Sequence, residues 1–181
     1  FKQSRVTIIG TLINGALGAL FYVFLARFLG PANFGLLTVS IATLTMIADS
    51  VDFGINTGLV KHVSQYLFSD ESKSLKFLKL SLEFKFLIWM IVLSVGLLVA
   101  PVIATNIFQK DELIVPLRLV MIGVGGALLF SFATSAMQAT QKYFIWSFVN
   151  IITNLLRVIF IIVFFYFGQL NLFNSILIFI L

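Results

Sequence analysis

The stretch MIADSVDFGIN, residues 46–56, places Asp49 and Asp52 three residues apart inside an apolar run that extends from Leu36 to Val60. A carboxylate in a low-dielectric setting has three uses. It can neutralise a cation, line a hydrated vestibule, or exchange a proton or hold a sodium ion with neighbouring oxygens. Thr45, Asp49, Asp52 and Asn56 follow one another at spacings of four, three and four, so on a helix they share a face. Two further polar stripes obey the same arithmetic: Ser131, Ser135, Gln138 and Gln141, and then Asn150, Asn154 and Arg157. The chain has no cysteine and a single histidine, so thiolate and imidazole metal centres are not expected and chemistry must rest on carboxylates, Arg, Lys, amides and hydroxyls.

The elements that must carry these stripes are membrane spans. Of 181 residues, 60% are hydrophobic and 10% charged, and the mean hydropathy is +1.10, far from the usual mix of a soluble domain. A hydrocarbon core about 30 Å thick needs roughly 20 apolar residues per helix. The sequence predicts spans at about 6–29, 36–60, 80–105, 117–140 and 146–167, with a sixth beginning near Leu172. Gly30-Pro31, the segment from Asn106 to Pro116, and Gly168 with Asn171 and Asn174 supply the breaks. The first stretch runs past Lys2 and Arg5 to Leu29, longer than a secretory h-region, and reads as a span and not a signal peptide. Since the chain starts at Phe1 and stops within LFNSILIFIL, we expect a fragment of a longer protein.

The net charge of +5 comes from basic residues scattered through the loops, which suits anionic lipid headgroups and not nucleic acid. With a cytoplasmic N-terminus, eight of them fall inside (Lys2, Arg5, Lys61, Lys73, Lys76, Lys79, Lys85 and Lys142) and three outside (Arg27, Lys110 and Arg118), while Arg157 lies within a span. Between the second and third spans, Lys73, Lys76, Lys79 and Glu83 form one stripe and Leu75, Leu78, Leu82 and Phe86 another, the pattern of an interfacial helix. It serves for lipid contact or for docking a cytoplasmic partner.

Polar groups facing lipid cost a few kcal/mol each, about +2.5 to +3.5 for a charge at the bilayer centre, so the three stripes are expected to face protein or water. Two readings stand side by side: an internal polar cavity, or helix-to-helix contacts in which Asp49 or Asp52 pairs with Arg157. Small residues at Gly15, Gly18, Ala19, Gly123, Gly125 and Gly126 are expected as close-packing positions, and Gly54 as a point where its helix can bend.

Residues 16–66 read ALGALFYVFLARFLGPANFGLLTVSIATLTMIADSVDFGINTGLVKHVSQY. The first helix ending in ARFLGP, the FG that opens the second, the D-x-G form of Asp52-Phe53-Gly54 and the basic exit at Lys61 come in the order and spacing of a known signature. This run resembles the N-terminal part of the polysaccharide exporters, also called O-antigen or lipid-linked oligosaccharide flippases, of the multidrug/oligosaccharidyl-lipid/polysaccharide exporter superfamily. The resemblance implies an all-α polytopic membrane protein with two pseudo-symmetric helical lobes about a central cavity. Residues 1–181 would be the N-terminal lobe, with the second lobe absent from this segment.

The activity so implied is transfer of a polyprenyl-diphosphate-linked oligosaccharide from the cytoplasmic to the outer leaflet of the plasma (inner) membrane by alternating access, without enzymatic chemistry. The matching cation candidates for the diphosphate are Arg157 and then Arg27 and Lys61. Asn150, Asn154 and Gln138 are candidates for the sugar-facing wall, and Asp49, Asp52 and Asn56 for coupling to a proton or sodium gradient, with no bound cofactor. Implied partners are the bilayer, the lipid-linked glycan and a glycan polymerase or assembly proteins. The alternatives are a cation-coupled multidrug exporter of the same superfamily and, more remotely, a membrane glycan polymerase or glycosyltransferase. An enzyme would normally display acids on a sizeable extramembrane loop, and the loop near 61–79 offers only Asp70 and Glu71.

The charge distribution yields a topological test: a reporter fused after Asn33 should report from outside and one fused after Ser72 from inside. The reverse pattern overturns the layout.

Overall fold

A computed structural model describes the backbone of residues 2–180 and the side chains of residues 8–180; the side chains of Lys2 and Arg5, counted above for topology, lie outside the described residues. The described chain is all helical. In order come α1 (Lys2–Ser50), α2 (Ile55–Tyr66), α3 (Glu71–Val102) with a π turn over Ile103–Ile107, a 3-10 turn over Asp111–Leu113, α4 (Ile114–Ala139), α5 (Tyr143–Tyr166) and α6 (Leu172–Ile180). Four of the described helical stretches are long and apolar enough to cross a membrane: Ile8–Ser50, Glu71–Ile107, Asp111–Ala139 and Tyr143–Tyr166. The protein is therefore a polytopic α-helical membrane protein.

The first of these stretches is bent sharply into two limbs. Gly30 has φ 73° and ψ 167° inside α1, followed by Pro31. This region of backbone space is essentially reserved for glycine, and proline is well placed at the first position of a new helix because its missing N–H has no partner there. Phe21 and Leu44 would stand about 34 Å apart on a straight helix. Yet the Phe21 ring lies 6.0 Å from that of Phe179 at the end of α6, and Leu44 closes on Gly123 together with the neighbouring Ile180. The two limbs of α1 therefore fold back along each other. Leu25, Leu29, Leu37 and Ile41 from both limbs share one buried cluster with Val158 and Ile161 of α5 and Ile176 and Ile178 of α6.

The first limb of α1 runs parallel to α5. Gly10 abuts Ser147, Asn14 meets Asn154, and Phe28 stacks on Phe165 at 3.8 Å. Parallel neighbours require the chain between them to cross and return in pairs, as the alternation of helices here provides. α4 is the central element, with Leu117, Val120, Met121, Val124 and Leu128 all buried. At Gly125, the missing side chain makes room for the indole of Trp89 on α3, which a Cβ would overlap.

The second apolar run departs from a single helix over 36–60. α1 ends at Ser50, residues 51–54 form a turn, and α2 resumes at Ile55. Phe53 (φ 48°) and Gly54 (φ 75°) both lie in the left-handed region, which ends a right-handed helix locally. Polar phase is preserved across the break, because Ile55 N–H still bonds to the Asp52 carbonyl and Gly58 N–H to that of Gly54.

α3 also differs from an interfacial helix lying on the membrane. It is one helix of 32 residues, about 48 Å long, so the lysine-bearing turns and the apolar run that follows form one continuous rod long enough to cross a membrane. Ser74, Lys85 and Ile88 are buried and Phe77, Leu78 and Ser81 partly so, marking the face that meets the bundle, while Lys73, Lys76 and Lys79 are exposed. The helix is started by Asp70, whose carboxylate accepts from the N–H of Lys73 at 3.1 Å and the hydroxyl of Ser72 at 2.7 Å. The Ser72 and Lys73 hydrogen bonds hold this exposed carboxyl down at about 2, against an ordinary 3.8.

Gly30 and Gly54 have open space where a Cβ would sit, so alanine at either tests backbone strain alone. Gly30→Ala should lower stability by about 1–3 kcal/mol and Gly54→Ala by about 1 kcal/mol. A melting temperature in detergent for Gly30→Ala equal to that of the parent protein would contradict the bend.

Candidate functional site

A buried ion pair organises the polar interior. Lys85, on the bundle-facing side of α3, is 1% exposed at its side chain, and its Nζ lies 2.8 Å from Oδ1 of Asp52, itself 18% exposed. The same ammonium donates to the Ser131 hydroxyl at 2.9 Å, and Ser131 in turn donates to the Leu128 carbonyl at 2.9 Å. The second Asp52 oxygen accepts the Asn56 backbone N–H at 3.3 Å. One ammonium thus ties together α3, the 51–54 turn and α4, and the carboxylate also caps the start of α2.

Around this pair lies a cavity of about 230 Å³ whose polar lining is Thr45, Asp49, Asp52, Asn56 and Ser131. Asp49 is exposed, and Oδ1 of Asn56 is buried and accepts no hydrogen bond among the described residues. Asn56 also borders a second groove of about 400 Å³, formed by Thr57, Val60 and Lys61 of α2 facing Ser135 and Gln138 of α4. The stripes expected on the second and fourth spans thus meet across one interface. The helix break between Asp49 and Asp52 on one side and Asn56 on the other has not separated them. Gln141 leaves the stripe, because α4 ends at Ala139 and Gln141 sits in the following turn with φ 56°.

The third stripe goes elsewhere. Asn150 donates to the Trp146 carbonyl of its own helix at 2.8 Å, and Asn154 bonds to Asn14 on the first limb of α1. Arg157 donates to the Phe179 carbonyl at 2.6 Å and to Oδ1 of Asn154 at 3.4 Å, with its guanidinium 4.7 Å from the Phe179 ring centroid. Its Nε is buried without a hydrogen-bond partner among the described residues. Of the two readings, the pairing of Arg157 with Asp49 or Asp52 is not formed; Asp52 is paired with Lys85 instead. The physical reason is the parallel packing of α5 on the first limb of α1, which turns the α5 polar face toward Asn14 and α6. Arg27 is exposed about one helical turn before the Gly30 bend, and Lys61 is exposed at the rim of the α2–α4 groove.

Sequence reasoning missed Lys85 and Asn14. Lys85 was counted with the loop lysines, yet Ser74, Leu78, Ser81, Lys85 and Ile88 repeat at four, three, four and three. That spacing makes one helical face, and a lysine deep on it signals a buried partner. Asn14 was a single amide among small residues and gave no such pattern.

Over residues 1–180 the chain matches the model of the polysaccharide biosynthesis protein family. The chain belongs to that family. The match covers every helix described above. No curated protein and no solved structure matches the chain. For this family member, bilayer and glycan are the environment in which the polar interior has to be understood.

Breaking the pair should be worse than removing it. Lys85→Met leaves Asp52 charged in a largely apolar place and should cost about 3–5 kcal/mol, whereas Lys85→Met with Asp52→Asn should recover most of that loss. Arg157→Met combined with Asp52→Asn should show no such recovery. Thermal unfolding in detergent of the single and double variants measures both couplings, and recovery in the Arg157 combination would contradict the assigned partner.

Proposed function

We propose that the protein is a non-enzymatic transporter that moves a polyprenyl-diphosphate-linked oligosaccharide from the cytoplasmic to the outer leaflet of the plasma (inner) membrane by alternating access. Residues 1–181 act as its N-terminal lobe, with the N-terminus cytoplasmic. The observation that carries the reading is the polar groove between α2 and α4, lined by Asn56, Lys61, Ser135 and Gln138 and contiguous with the Asp49–Asp52 cavity, in a member of a polysaccharide biosynthesis family. Amides and hydroxyls suit a sugar, which needs many replaceable hydrogen bonds. The lipid tail needs no polar group and can trail between helices.

The diphosphate needs cations. Arg157, with Asn150 and Asn154 on the same face of α5, is the candidate in the middle of a span, and Lys61 and Arg27 are candidates nearer the ends. A guanidinium remains charged when partly buried and grips phosphate oxygens through two parallel hydrogen bonds. Its Nε, buried and unpartnered, is a donor still to be satisfied. Coupling to a proton or sodium gradient falls to Asp49, Asp52 and Asn56. Asp49 is the point of entry, since it is exposed to the cavity while Asp52 already holds an ammonium. A glycan polymerase or other assembly proteins would supply and remove the substrate.

Export of lipid-linked glycan by the full-length protein tests this. Arg157→Ala should abolish export at normal protein level, and Arg157→Lys should restore only part of it, because an ammonium lacks the planar fork. Export that survives Arg157→Ala removes the residue from the diphosphate site, and efflux of cationic drugs without glycan transfer would favour the multidrug alternative.

A further inference from the structure

We propose that the Lys85–Asp52 ion pair is a latch: it pins the broken second crossing to α3 and α4 and so sets access to the α2–α4 groove. Lys85 is then a positioning residue of the transport path, acting through Asp52 and not by touching what passes.

Four observations converge on this. The crossing is interrupted by two successive left-handed residues, Phe53 and Gly54, so α2 is joined to α1 by a turn and not by a continuous rod of hydrogen bonds. Asp52 is the turn side chain that reaches other helices, through Lys85 to α3 and, by the same ammonium, to Ser131 of α4. α2 itself is short, 12 residues, and its buried apolar contribution is Leu59 and Val63, packed with Ala139 and partly buried Phe77, Leu78, Phe132 and Ala136. Finally, the groove wall opposite Ser135 and Gln138 consists of residues from α2, so any swing of α2 about the turn changes the width of the groove directly.

The energetics argue against a purely stabilising role. Desolvating a carboxylate and an ammonium costs several kcal/mol each, and an apolar pair of the same volume often serves stability as well or better. A contact of this kind is most useful where one geometry must be selected and then released. Release needs only that the ammonium exchange Asp52 for another partner, and Ser131 holds the ammonium in place meanwhile. His62 and Tyr66 also stack on Phe77 of α3, so α2 keeps apolar contacts about which it can swing, and a turn held by one strong polar clasp is the kind of element that can switch between discrete arrangements.

This chain has no cysteine, so Ser135→Cys places a single, nearly isosteric thiol in the groove wall. In the full-length protein in membrane vesicles, with any other cysteine replaced, its reaction rate with a small membrane-impermeant thiosulfonate reads access to the groove. Lys85→Met should raise that rate on the order of fivefold or more, as expected when one arrangement loses its clasp. Asp52→Asn, which keeps the shape and removes the attraction, should do the same and serves as a second arm if Lys85→Met inserts poorly. A thiol at Ser72, outside the groove at the exposed start of α3, should react at an unchanged rate in both. The latch is overturned by unchanged Ser135→Cys labelling in correctly inserted variants, or by equal acceleration at Ser72→Cys, which signals general loosening. Its place in transport rests on the export reading above, but labelling requires no substrate. A response at Ser135→Cys without any glycan export would therefore sink the export reading and leave the latch standing.

Discussion

A carboxylate and an ammonium persist in the apolar middle of this bundle because each is the other's solvent. With no water in the hydrocarbon to take their hydrogen bonds, every polar group at membrane depth has to find a partner inside the protein or face a wet cavity. The Lys85 ammonium meets that demand with Asp52 and Ser131. Asp52 meets it with Lys85 and the first free N–H of α2. Because the partners come from α3, from the turn after α1 and from α4, satisfying two charges also fixes three elements relative to one another. The cavity at Asp49 and the groove at Gln138 exist on either side of Asn56 because that junction holds α2 against α4 with polar faces inward.

Two glycines decide where those elements lie. At Gly30 the chain adopts a conformation that side chains avoid and doubles back, so that both limbs of α1 contribute to one apolar seam with α5 and α6. At Gly54 the bend is milder. The left-handed pair Phe53–Gly54 ends one helix and begins another nearly in phase. The first break turns one long helix into two limbs packed along each other. The second leaves a crossing in two pieces whose polar residues continue to face the same way, and this is why a stripe read as a single helix still lines a single cavity.

The legibility of the sequence follows from these same causes. Hydropathy and the breakers Gly30-Pro31 and Asn106 to Pro116 exposed the all-helical membrane architecture because the bilayer forces long apolar runs and leaves few alternatives. The shared face of Thr45, Asp49, Asp52 and Asn56 was legible too, since helical phase survives the small break; that it meets Ser131, Ser135 and Gln138 was not. What was not legible depended on how helices pack. Lys85 looked like one more basic residue among the lysines that precede a span, and only the heptad spacing of its buried neighbours separates it from them. Pairing of Arg157 with Asp49 or Asp52 stood as an alternative to a cavity because Arg157 is the one basic residue far from either end of an expected span. Its true partners, Asn154 and the Phe179 carbonyl, with Asn154 in turn bonded to Asn14, follow from the parallel contact between α5 and the first limb of α1, which no local pattern encodes.

Lys85 and Arg157 therefore stand in different chemical situations, and the difference bears on what each can do. Lys85 is a point charge already balanced by a carboxylate 2.8 Å away, so removing it exposes an anion and is felt by the fold. Arg157 has no carboxylate partner among the described residues. Amide and carbonyl oxygens and the face of Phe179 solvate it, contacts that hold a guanidinium in position without cancelling its charge. A positive charge that is positioned but not neutralised keeps most of its attraction for an anion, whereas one locked in an ion pair must first give up its partner. These electrostatics leave Arg157 free to attract an anion and Lys85 bound to its carboxylate, so the two polar clusters differ in charge balance as well as in place.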